Sequence, residues 1–354
     1  MYKQVIRPIL FLLPPETVHH LTVSAVKIAS KIPFMPAIFR KSFTIRHKCL
    51  EREIFGLKMA NPVGLPAGFD KNAEVYNEFA NFGFGSIEIG TVTPRPQSGN
   101  PKPRVFRLEK DLAVINRMGF NGKGVKHAAE KLRKRKRNDV IIAGNIGKNS
   151  ATPNDHAAED YLISFRALYN KVDYFIVNVS CPNVADLTKL QSQDSLREIL
   201  EGLVTFRRGQ DDYKPIVLKI SPDLTFAQID NSIEVMKEFN LDGIVATNTT
   251  VSREGLTTPA SKLKAIGPGG LSGKPLFKRS LEVVSYINKK TNGEFPIIAS
   301  GGIMTEQDAL DMLDAGARII QIYTGFVYNG PAFAKNICKA IIEREEKRSG
   351  NGQS

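Results

Sequence analysis

The sequence predicts an α/β protein, a (β/α)8 barrel of the TIM type preceded by a small helical extension. Three observations carry that prediction. From residue 62 onward, eight short runs rich in Val and Ile recur, each closing on a polar or glycine cluster. A helical pattern stands between each run and the next, which is the signature of strand-then-helix units. The 354 residues also suit one barrel of roughly 250 residues with additions. An open parallel sheet more often carries five or six strands.

In chain order, the predicted strands are Pro62–Phe69, Gly85–Thr91, Val140–Ile146, Tyr174–Ser180, Pro215–Ser221, Gly243–Thr249, Pro296–Gly302 and Ile319–Gly325. Most are apolar on both faces, as strands buried in a parallel sheet must be. Two connections are too long for a single helix. The first, after Thr91, is proline-rich and then strand-like, and reads as an inserted hairpin or lid. The second, after Thr249, is rich in Gly, Ser and Thr. Long loops that follow strand ends lie on the catalytic face of a barrel.

The first 45 residues differ from the rest. Val5, Ile6, Ile9, Leu10 and Leu13 share one helical face, Pro14-Pro15 stops it, and Val18, Leu21, Ala25 and Ile28 begin another. Pro33 and Pro36 read as breaks in that second helix. This stretch holds six Lys/Arg and one acid, Glu16. The organisation expected is an amphipathic docking extension over residues 1–45, a barrel over 46–345 and a polar tail over 346–354.

Composition bounds the partners. The net charge is +13 and the pI near 9.5, which points to nucleic acid, an anionic membrane or an acidic substrate. No apolar run approaches the roughly 20 residues of a membrane span. Three scattered cysteines (Cys49, Cys181, Cys338) without a C-x-x-C pair argue against a disulfide framework and a zinc ribbon. No metal is expected. The densest basic run, Lys131 to Arg137, has no interleaved aromatics and no recognition motif, so it reads as a solvated helix face and not a nucleic-acid site.

The strand ends carry the chemistry. Lys71, Thr91, Asn145, Asn178, Lys219, Asn248, Gly301-Gly302 and Tyr323-Thr324 close the eight strands or begin the loops after them. Capping is the ordinary explanation for any one of these. Three amides and two lysines at one mouth instead suit a planar, anionic, hydrogen-bonding ligand, such as a flavin beside a carboxylated substrate. Small residues at the ends of the last two strands suit a phosphate, as in FMN. Cys181, three residues beyond Asn178, reads as an exposed loop thiol. With a pKa near 8.5, such a thiol can accept a substrate proton.

Ordered segments along nearly the whole chain resemble the dihydroorotate dehydrogenases: NPVGLPAGFDKN (61–72), GSIEIGTVTPRPQSGNPKPRVFRL (85–108), INRMGFN (115–121), GNIGKN (144–149), NVSCPN (178–183), VLKISPDL (217–224), GIVATNTT (243–250), GGLSGKPL (269–276), IIASGGI (297–303) and QIYTGF (321–326). The resemblance implies oxidation of (S)-dihydroorotate to orotate in pyrimidine synthesis. In that reaction a base removes the C5 proton while the C6 hydride passes to FMN. It implies FMN contacts from Ala67, Gly68, Phe69, Asp70, Lys71, Thr91, Asn145, Asn178, Lys219, Thr247, Gly273, Gly302, Tyr323 and Thr324. Substrate contacts are implied from Lys71, Asn116, Arg117, Met118, Gly119, Phe120, Asn178, Asn183, Asn248 and Thr249.

The extension, with Pro15-Glu16 and His19, is similar to that of the quinone-dependent, membrane-associated class. It implies a quinone site at His19, Arg107 and Tyr323. Cys181 departs from that class, which usually has serine as base, and matches the soluble class, which uses fumarate or NAD. The extension and the 91–108 insertion outweigh that one residue, so Cys181 is assigned as the base of a quinone-dependent enzyme. A monomer bound peripherally to the cytoplasmic side of the cell inner membrane is expected, since no transit peptide is legible in these residues.

Overall fold

The computed structural model describes residues 2–184 and 187–351. Eight parallel strands close into a barrel in simple chain order: β1 (Val63–Asp70), β2 (Ser86–Val92), β3 (Ile141–Ile146), β4 (Tyr174–Asn178), β5 (Ile216–Ile220), β6 (Gly243–Ala246), β7 (Ile297–Ser300) and β8 (Ile319–Gln321). Closure is made by β8 against β1, with Ile320 opposite Val63. Every predicted strand is present. The last five end one to four residues earlier than predicted, because their final residues leave the ladder and turn into the mouth. At β7 the cause is local: Gly301 and Gly302 have φ of +116° and +84°, which ends an extended strand.

A two-stranded hairpin, Arg52–Ile54 with Leu57–Met59, supplies Ile54 and Met59 to an apolar cluster with Ile141, Tyr174, Val217, Ile298 and Ile319. These barrel residues lie at or near strand starts, so the hairpin plugs the end of the barrel opposite the mouth. At the mouth, the two long loops join. Strands Val105–Leu108 and Ala113–Asn116 form the expected hairpin, and Gly270–Gly273 from the second loop pairs antiparallel with its inner strand. The pairing of the loops was not foreseen. It converts two loops into one three-stranded cover.

The extension folds as a wide helical turn (Tyr2–Ile6) running into α1 (Arg7–Phe11), then α2 (Pro15–Ala29) and α3 (Met35–Phe43). Pro36 does not break a helix. It occupies the first turn of α3, where its missing N–H costs nothing. Three sets of contacts hold the extension down. Tyr2 donates to the Val327 carbonyl at 2.7 Å, Phe39 and Phe43 pack on Phe82 at 5.3 and 5.2 Å, and Arg104 grips Glu16 at 2.7 Å. At the other end of the chain, helix Phe333–Asn351 continues through residues 346–351, where a polar tail was expected. The remainder of that tail, 352–354, lies outside the described residues.

Candidate active site

A cavity of about 710 Å³ lies between the barrel mouth and the extension, walled by both. Its barrel side is organised by a carboxylate that the motif reading missed. Glu88, in the middle of β2 and fully buried, accepts from Gln321 Nε2 at 2.7 Å and from Asn145 Nδ2, and pairs with Lys219 Nζ at 3.4 Å. A buried charge persists only when paired and hydrogen-bonded, and Glu88 has all its partners. A lone glutamate within an otherwise apolar strand was the available signal. Asn145 is thus one layer behind the cavity wall, with its amide spent on Glu88.

Above this floor the strand-end amides form a chain. Asn178 Nδ2 donates to Thr91 Oγ1 at 3.0 Å, and Asn248 Nδ2 donates to Asn178 Oδ1 at 3.2 Å and to Ser180 Oγ at 3.0 Å. The phenol of Tyr161, buried behind β4, fixes the Asn178 carbonyl at 2.8 Å. On the lid side, Asn183 Nδ2 donates to Asn116 Oδ1 at 3.0 Å, and Asn183 Oδ1 accepts from the Gly270 amide at 3.1 Å. Asn116, Met118, Gly119, Phe120 and Thr249 complete that wall. Arg117 does not. Its guanidinium turns away, donating to the carbonyls of Ile266 and Pro103 and lying over the Phe106 ring.

The titratable groups at the mouth are strongly perturbed. Cys181 is only 8% exposed, so the expected exposed thiol is in fact buried. Burial pushes it up to about 11, against the pull of nearby Lys219 and Lys71. Lys71 is brought down to about 7, chiefly by burial and next by the Arg104 charge, and its ammonium donates to Asn121 Oδ1. Asp70, raised to about 6 by burial, accepts from the Glu74 and Val75 amides at 2.7 and 2.8 Å and shapes the turn after β1.

At the ends of β7 and β8 the wall narrows to backbone. A Cβ on Gly302 would lie 2.3 Å from Phe277 N, and one on Gly273 would lie 2.3 Å from the Leu112 carbonyl. Thr324 Oγ1 and Thr247 Oγ1 stand beside these glycines, bonded to Ser272 Oγ at 2.9 Å and Ser280 Oγ at 3.1 Å. Gln321, also in the wall, keeps a buried Oε1 with no hydrogen-bond partner. A buried acceptor without a donor, beside a side-chain-free cradle, fits a planar ligand bearing N–H groups and a phosphate. The residues present therefore fit a flavin nucleotide.

The opposite end of the cavity is aromatic. Phe69 sits at its centre, 4.8 Å from Tyr323 and 5.6 Å edge-on from His19 of α2. Burial, aided by the Lys71 charge, lowers His19 to about 4, so it is neutral at ordinary pH. Arg107 lines the same end, but its guanidinium is committed to the Phe11 carbonyl at 2.7 Å, to the Leu13 carbonyl and to the Phe11 ring. It ties down the α1–α2 turn. Ala67, Gly68, Thr91 and Lys219 also line the cavity.

Comparison with known proteins agrees with this geometry. The family model described as dihydroorotate dehydrogenase matches residues 49–344. A curated dihydroorotate dehydrogenase (quinone) of Christiangramia forsetii is 50% identical over 344 residues, covering 97% of this chain and 99% of that protein. One of the same name from Roseiflexus sp. (strain RS-1) is 45% identical, covering 96% and 93%. Among solved structures, DHODH from Eimeria tenella in complex with ferulenol superposes with a TM-score of 0.84 at 35% identity, covering 95% of this chain and 92% of that one. Both curated relatives are named for quinone and neither for fumarate or NAD. The chain belongs to the dihydroorotate dehydrogenase family, in its quinone-dependent branch.

Proposed function

We propose that this chain oxidises (S)-dihydroorotate to orotate with FMN and delivers the electrons to a membrane quinone, serving pyrimidine synthesis. The observation that carries this reading is the two-ended cavity. One end is lined by amides, lysines and a buried thiol under the lid. The other is aromatic and roofed by the extension, and both share the Phe69–Tyr323 wall.

Bound FMN supplies a two-electron acceptor that a quinone can reoxidise. The residues divide the remaining work. Asn116, Asn178, Asn183 and Asn248 present amides to a flat polar substrate, and Lys71 presents an ammonium to its carboxylate. Cys181 takes the proton from the substrate carbon. Lys219, held by Glu88, places positive charge where negative charge grows during the reaction. The lid and the buried side chains exclude water. His19 and Phe69 line the quinone end.

Exposure supports membrane contact through the extension. Among the described residues, ten of the thirteen exposed large apolar side chains lie between Val5 and Ile38, including Leu12 at 85% and Phe34 at 82%. No helix among the described residues is long and apolar enough to cross a membrane. A peripheral helix pair inserted at an anionic surface, the cytoplasmic face of the cell inner membrane, accounts for both facts.

The test is a two-step colour assay. The yellow protein should bleach anaerobically with dihydroorotate and regain colour with a quinone analogue, but not with fumarate or NAD. In the His19→Ala variant the first step should stay within about twofold of wild type, while the second slows at least tenfold. Equal slowing of both steps would mean that His19 serves the barrel and not the quinone end.

Lys71 gives a second expected result. Its ammonium is only about one-tenth populated at pH 8 when its pKa is about 7. An adjacent anion favours the charged form. Orotate binding at pH 8 should therefore take up close to one proton, and binding at pH 5.5 none. Calorimetry in two buffers of different ionisation enthalpy measures this, and absent uptake at pH 8 would detach Lys71 from the substrate.

A further inference from the structure

The basic run from Lys131 to Arg137 plays no part in the chemistry above. It is not the solvated helix face that composition implied. The helix Gly124–Leu132 stops within it, and residues 133–137 form a loop. Two of its arginines are spent internally. Arg135 pairs with Asp173 at 2.9 Å, and Arg137 pairs with Asp139 at 2.6 Å and donates to Asn81 Oδ1 at 3.2 Å. These contacts pin the loop and leave Arg133, Lys134 and Lys136 exposed, with no ion pair among the described residues.

The same pins bring in the extension. Arg40 of α3 donates to that same Asn81 Oδ1 at 3.3 Å, and Arg46 pairs with that same Asp139 oxygen at 3.1 Å. Arg40, Lys41 and Arg46 also rim a shallow depression with Ala37 and Thr44. Two basic groups distant in sequence are therefore one surface. Between Lys123 and Arg137 eight Lys/Arg face a single acid, Glu130. The surface runs directly into exposed apolar residues, Phe34 at the start of α3 and Ile38 within it, at 82% and 52% exposure. An apolar tip beside a cationic apron is the arrangement an anionic bilayer recognises.

We propose that this flank of the barrel, from Arg40, Lys41 and Arg46 to Arg133, Lys134 and Lys136, rests on the headgroups of an anionic bilayer. The extension alone would then be only part of the membrane surface. The proposal rests on the membrane reading above, and the test separates the two.

The holoenzyme is floated with vesicles of pure phosphatidylcholine and of phosphatidylcholine with one-quarter phosphatidylglycerol. The Arg133→Gln/Lys134→Gln/Lys136→Gln variant should bind the anionic vesicles at least tenfold more weakly, since each basic residue at such a surface is worth about fivefold. Its binding to neutral vesicles and its turnover with a soluble quinone analogue should not change. The wild-type preference for anionic vesicles should collapse with added salt. Phe34→Ser/Ile38→Ser should weaken binding to both vesicle types. If the triple variant kept full affinity while the apolar variant lost it, the flank would be excluded and the membrane reading kept. If neither variant lost affinity, both readings would fall. Loss of binding to a labelled single-stranded oligonucleotide with lipid binding intact would assign the flank to nucleic acid and overturn the proposal.

Discussion

Glu88→Gln should destabilise the protein by about 3 kcal/mol, the lower part of the range for breaking a buried ion pair. The substitution keeps the shape and removes the charge. Asn145 can still donate to the remaining oxygen, and Gln321 can turn its amide so that its unpartnered Oε1 accepts from the new amide. What has no remedy is Lys219, 7% exposed, whose carboxylate partner among the described residues is Glu88. Denaturant unfolding measures the loss. Lys219→Met should recover much of it in the double variant, because both charges are then gone. A second readout separates position from mere stability. With Glu88 neutral, the Lys219 charge is no longer offset, so negative charge on the bound cofactor is better stabilised and its midpoint potential should rise. A stability loss with an unmoved potential would make Glu88 a structural pair only.

That glutamate marks where sequence reading stops. The strands were legible because buried parallel strands are continuous Val/Ile runs, and such runs have few alternatives in a chain of this length. The polar wall residues were legible because chemistry in a barrel gathers at strand ends, and Asn178, Lys219 and Asn248 lie there. Glu88 lies mid-strand, where the same rule assigns packing. Its role depends on Asn145, Lys219 and Gln321, which come from three other strands and meet only when the barrel closes. Arg117 failed for a related reason. A motif fixes the path of the backbone, but the carbonyls of Ile266 and Pro103 decide where that guanidinium points. Arg107 shows both outcomes, since it reaches the expected end of the cavity and yet spends its charge on the α1–α2 turn. The third helix was missed because Pro36 was read as a stop, although proline is equally suited to a first turn.

Cys181→Ala should slow cofactor reduction by dihydroorotate by about 10²- to 10⁴-fold, the usual contribution of a general base, with substrate affinity nearly unchanged. The informative comparison is with Cys181→Ser. A thiol at its ordinary acidity would give a reaction well under way near neutrality, but burial raises this one to about 11. The base must lose its proton to act, so a raised pKa makes the wild-type rate climb with pH across the whole range from 7 to 10. Serine, being less acidic than a thiol, should give a slower reaction whose rise is displaced to higher pH. Stopped-flow traces of the first half-reaction measure both profiles, and equal rates with superimposable profiles would remove Cys181 from the base role. The floor of the site supplies a coupled check. Lys219 favours the Cys181 thiolate, and Glu88 partly cancels Lys219. Glu88→Gln should therefore move the wild-type profile toward lower pH. It should leave the profile of Cys181→Ala where it was, because no thiol remains there to respond.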